Sequence, residues 1–136
     1  MCYLMTIAIG AGSESLLDTF REAGFDVEQP RNVSLMDALG PDRSPFEITV
    51  GGCSCSIFTS PRSRTERPLR ESFTAAVATA AERGGSVTLF VHWYSGDTAT
   101  EQLRPRTGPS MSTQKYVTSA RKLPKDTLVT VLGANA

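Results

Sequence analysis

The sequence predicts an α+β two-layer sandwich: a mixed or antiparallel sheet of five to six strands with two main helices on one face, related to the ferredoxin-like arrangement. Three observations carry this. Val87 to Tyr94 (Val-Thr-Leu-Phe-Val-His-Trp-Tyr) is β-branched and aromatic throughout, as a central strand requires. Leu69, Phe73, Ala76, Val77 and Ala80 recur at helical spacing, which gives a helix with one apolar stripe. The other segments alternate between strand and helix patterns, and two striped helices against one sheet are the natural way to cover a sheet face.

The elements follow in order. Cys2 to Ile9 is an apolar run of β-formers, read as a buried strand. Ser13 is the expected N-cap of a helix whose Leu16, Leu17, Phe20 and Ala23 share a face, with Gly24 as its stop. Phe25 to Glu28 alternates as a short strand, so the start is βαβ-like. Ser34 to Gly40 reads as a short helix capped by Ser34 and ended by Gly40-Pro41. Phe46 to Val50 alternates as a third strand. Gly51-Gly52 permits a bend before Cys53 to Phe58 resumes extended. Ser60 to Arg67 is a polar loop, Pro68 fits the first turn of the long helix, and Gly84-Gly85 ends it. Asp97 to Ser112 reads as a long polar connection with one helical turn near Thr98–Gln102. Gln114 to Leu123 and Thr127 to Leu132 read as a closing hairpin.

At 136 residues the chain is expected to be one domain, residues 1–136, with no internal repeat. Its zero net charge argues against a dedicated nucleic-acid binder. The balance hides an asymmetry, with a net of −5 over residues 1–60 and +5 over residues 61–136. No basic leader precedes the first apolar run, no stretch approaches the roughly 20 apolar residues of a membrane span, and three cysteines make a poor disulfide framework. A cytoplasmic protein with no membrane association is the expectation.

The chemistry-bearing residues are few. In an extended strand Cys53 and Cys55 point to one face, and two adjacent thiolates suit zinc or copper(I), with Cys2 or His92 completing the set. The competing account is that small sulfur side chains fill a packed face. Cys2 behind a removed Met1, or a pairing of His92 with Cys53 or Cys55 oriented by Asp97, would instead make a small cysteine-nucleophile enzyme, but supporting motifs are absent. Gly10-x-Gly12-x-x-Ser15 lacks the third glycine of a dinucleotide fingerprint and is explained by a tight turn. Arg62, Arg64, Arg67 and Arg70 gather around a helix N-terminus and suit a small anion such as phosphate, or an acidic partner.

The functional expectation from this inventory is a non-catalytic protein, holding no cofactor, that recognises a protein partner through its charge-segregated surface. A toxin-neutralising immunity or antitoxin protein is one concrete form, with Glu14, Asp18 and Glu22 as acidic contacts and the four arginines as basic ones. The alternative is a thiol-based metal-binding or redox protein centred on Cys53 and Cys55.

Overall fold

The computed structural model describes residues 2–58, 66–119 and 123–134. Its elements are β1 (Cys2–Gly10), a 3-10 turn (Glu14–Leu16) running into α1 (Leu17–Glu22), β2 (Asp26–Glu28), α2 (Val33–Leu39), β3 (Arg43–Thr49), α3 (Cys55–Phe58), α4 (Glu66–Gly84), β4 (Ser86–Tyr94), β5 (Arg106–Ser112), α5 (Thr113–Ser119) and β6 (Thr127–Leu132). The six strands form one mixed sheet in the order β2-β3-β1-β4-β6-β5, antiparallel except for the β5–β6 pair.

Alternation along β1 and β4 gives the sheet two different faces. Met5, Ile7 and Ile9 of β1 and Val87, Leu89 and Val91 of β4 join Leu17 and Phe20 of α1 and Phe73, Ala76, Val77 and Ala80 of α4 in the main core. This is the expected two-helix layer. Phe73 lies 6.0 Å from Phe20 and 5.8 Å from Phe25, ring centre to ring centre. Burying each such ring contributes about 1.5–3 kcal/mol. The opposite face carries a smaller cluster of Leu4, Phe90 and Tyr94, covered by Leu35 of α2 and Leu103 of the 95–105 segment.

Because β3 lies between β1 and β2 and runs against both, β1-α1-β2 is a split βαβ unit. The stretch β3-α4-β4 is a second one, split by β1. The first of these units is the βαβ-like start that the sequence pattern anticipated. This connectivity does not by itself establish a ferredoxin-like relation, and β5 and β6 extend the sheet beyond it.

Several local expectations are corrected. Ser13 makes no side-chain cap. Asn32, not Ser34, caps α2: its side-chain oxygen accepts from Leu35 N–H, and Ser34 donates to that same oxygen. Residues 113–119 are the helix α5, around buried Tyr116, so no hairpin closes the chain; β5 and β6 run parallel with α5 as the crossover. The connection read as loop through Ser112 ends at residue 105, because Arg106–Ser112 is an edge strand that tolerates Gly108 and Pro109 beside a register shift. Cys53 to Phe58 is not extended, since α3 begins at Cys55. Among the described residues, no helix is long and apolar enough to cross a membrane.

Candidate metal centre

The site forms where β3 runs out. Pairing between β1 and β3 starts at Met5–Ile48, which leaves the backbone of Tyr3 without a strand neighbour on that side. Gly51 and Gly52, with φ of 65° and 85°, then reverse the chain in a two-residue turn, a left-handed conformation that side chains with a Cβ resist. Val50 N–H donates to Cys53 C=O at 2.8 Å to close the turn. The chain returns alongside β1, and Cys53-Ser54-Cys55 takes the place of the missing strand.

Buried Ser54 locks this arrangement. Its N–H donates to Tyr3 C=O at 2.9 Å, its hydroxyl donates to Ile48 C=O at 2.6 Å, and the same oxygen accepts from Met5 N–H at 2.9 Å. Its C=O accepts from Ile57 N–H at 3.0 Å, which seats α3. The two flanking cysteines are held with it. Cys55 Sγ accepts from Tyr3 N–H at 3.3 Å, and Cys53 Sγ accepts from Cys55 N–H at 3.3 Å. The Cys2 and Cys53 thiols both lie against Tyr3 C=O, at 3.3 and 3.7 Å.

Cys53 Sγ and Cys55 Sγ are 2.8 Å apart, and all three sulfurs lie within 4.8 Å of one another. The side-by-side placement expected from a strand is therefore reached by another route, a glycine turn into a helix. None of the three cysteines is in a disulfide, and each is partly exposed. Burial, and then the hydrogen bond with Cys53, raise the Cys55 thiol above its ordinary 9.0, opposed by the Tyr3 N–H. Plain packing would favour fully buried sulfurs; here the thiols converge at the surface under backbone N–H donors, the hydrogen bonds that orient and hold thiolate ligands.

His92 is not among them. It faces Leu4 across the β1–β4 ladder, close to the Cys2–Tyr94 pair, yet its ring points toward the β6 side of β4. Nδ1 pairs with Asp126 and Nε2 with Glu101, so both nitrogens are engaged. Asp97, the expected orienter, instead accepts from Ala99 N–H. The His92 hydrogen bond is the largest influence holding the Glu101 carboxyl below its ordinary range. Burial, followed by the charges of Glu47, Glu101 and Asp126, pushes the Tyr94 phenol well above its ordinary value. The sequence offered no local signal for Glu101 and Asp126 as partners of His92, because they arrive from two separate loops.

The expected contact residues are scattered. Glu14, Asp18 and Glu22 are exposed along the 3-10 turn and α1, and Asp18 pairs with Arg21 at 2.9 Å. Arg70 donates to Ile57 C=O at 2.9 Å, which ties α4 to α3. Arg62, Arg64 and the side chain of Arg67 lie outside the described residues. No protein-family model matches the chain, and comparison with curated proteins and with solved structures returns no match.

Proposed function

We propose that this protein binds a soft, thiophilic metal ion, copper(I) or zinc(II), through Cys2, Cys53 and Cys55. One observation carries the reading: every cysteine in the sequence arrives at one spot, with the three sulfurs within 4.8 Å of one another. Thiolates select soft ions. Zinc is almost always held by four ligands in structural sites, whereas three sulfurs satisfy copper(I), so copper(I) is the better match to this donor set. The N–H groups of Tyr3 and Cys55 offset the negative charge that three thiolates accumulate.

Reduced protein purified without chelator, or loaded anaerobically with Cu(I), carries one ion per chain by elemental analysis and shows a sulfur-to-metal absorption band. A Cys53→Ser/Cys55→Ser variant that folds normally has neither. Protein that carries no ion and keeps three freely reactive thiols after loading contradicts the proposal. The reading of a charge-segregated surface for a protein partner has no observation of comparable specificity behind it; a stoichiometric partner released by salt would support it.

A further inference from the structure

The three sulfurs are not equivalent. We infer that Cys53 and Cys55 form the fixed floor of the site, and that Cys2 is its releasable ligand, where an incoming thiolate from a partner displaces the protein and takes the ion. This rests on the ion-binding reading above.

The asymmetry is in the hydrogen bonds. Cys55 Sγ receives the Tyr3 N–H and Cys53 Sγ receives the Cys55 N–H. Both belong to the turn clamped by Val50, Cys53 and Ser54. Among the described residues no N–H reaches Cys2 Sγ, whose thiol instead donates to Tyr3 C=O. A thiolate that accepts backbone N–H bonds is stabilised as a ligand and fixed in direction. Cys2 lacks that support, so its bond to the ion is the weakest of the three.

Among the described His, Cys, Asp and Glu side chains, only Cys2, Cys53 and Cys55 gather at this site. The sequence has three cysteines and one histidine, and both nitrogens of that histidine are engaged. No Asp or Glu joins the cluster among the described residues. An ion held by three sulfurs at partly exposed cysteines is open to a fourth donor from outside.

The step that follows is a ligand exchange. The incoming thiolate forms a new metal–sulfur bond, the bond to Cys2 breaks, and the Cys2 thiolate takes a proton from solvent. The ion keeps its oxidation state. Repetition at Cys53 and Cys55 completes the transfer, so the partner is a thiolate donor.

The test compares wild type, Cys2→Ser, Cys53→Ser and Cys55→Ser, each checked for folding by circular dichroism. Each is loaded anaerobically with Cu(I) against a competing chelator and then challenged with glutathione as the incoming thiol. Wild type releases Cu(I) at a rate that rises with glutathione concentration. Cys2→Ser still takes up one ion, with lowered affinity, and gives it up faster. Cys53→Ser and Cys55→Ser hold none under the same competition. If Cys2→Ser fails as completely as Cys53→Ser, or if wild-type release ignores thiol concentration, the division of roles is overturned while ion binding stands. A wild-type chain that takes up no Cu(I) overturns both.

Discussion

The cysteine cluster and His92 flank opposite sides of the central strand pair β1 and β4, and they are in opposite chemical conditions. On the β3 side of β1, the N–H groups of Tyr3 and Cys55 donate to Cys55 Sγ and Cys53 Sγ, and the Tyr3 carbonyl lies against the Cys2 and Cys53 thiols. On the β6 side of β4, both polar atoms of the His92 ring are matched to carboxylates from two segments, Glu101 and Asp126. The rest of Glu101 is also occupied, since its second oxygen accepts from the N–H groups of Ser95 and Gly96. A ring held at both nitrogens fastens the fold, whereas three sulfurs gathered at partly exposed cysteines suit a ligand. The histidine that sequence reasoning offered as a fourth ligand thus serves as a clasp for the 95–105 segment and the turn before β6.

This contrast can be broken at either side. The largest effect is expected at the thiols: Cys53→Ser/Cys55→Ser removes ion uptake altogether while the melting temperature of the ion-free protein stays close to wild type. A collapse of that ion-free protein would show the sulfurs to be core packing instead. The next largest is at Asn32, which is 2% exposed, caps α2, and donates to the C=O groups of Thr98 and Glu101 at 2.9 and 2.7 Å. Asn32→Ala leaves those groups unmatched and is expected to cost about 2–3 kcal/mol in chemical denaturation, with ion affinity unchanged.

A smaller effect is expected at the turn beneath the cysteines. Gly52→Ala places a Cβ at a φ of 85° and is expected to cost about 1 kcal/mol, with weaker ion binding, because the turn sets where Cys53 points. A loss of stability without loss of ion affinity would separate the turn from the site.

Much of this arrangement was legible in the sequence and some was not, for reasons that differ by residue. The β4 strand and the stripe of α4 stood out because long periodic runs leave one reading. Cys55–Phe58 is four residues long, too short for its pattern to distinguish strand from helix turn, and Ser54's three contacts with β1 and β3 decided it. The pattern over 114–123 suggests a strand because its Thr, Tyr and Val residues favour strands; buried Tyr116 packs Thr113–Ser119 as a helix, and residues 120–122 lie outside the described residues. Cys53 and Cys55 do come side by side, but by a glycine turn into a helix and not by the strand alternation their spacing suggested. That Cys2 joins them is a long-range consequence of β1 outrunning β3, which no local window contains.

The smallest expected effect concerns pH and the clasp. The Glu101 carboxyl is held below its ordinary value of 4.5 chiefly by the His92 hydrogen bond. A depressed carboxyl contributes stability that is fully present above its ordinary value and is lost as pH falls through the lowered one. His92→Gln is therefore expected to flatten the acid limb of the stability–pH curve, read by urea denaturation at pH 3–6. An unchanged limb would mean that His92 does not hold Glu101. On the other side of the ladder, the raised Cys55 thiol makes protons compete with the ion, so Cu(I) affinity is expected to fall as pH is lowered.

The most direct measurement is X-ray absorption at the copper edge of the Cu(I)-loaded, reduced protein, because it counts the atoms bound to the ion. Three sulfur neighbours, falling to two in Cys2→Ser, are the expected result. A first shell with nitrogen from His92, or with fewer than three sulfurs in the wild-type chain, would contradict the account.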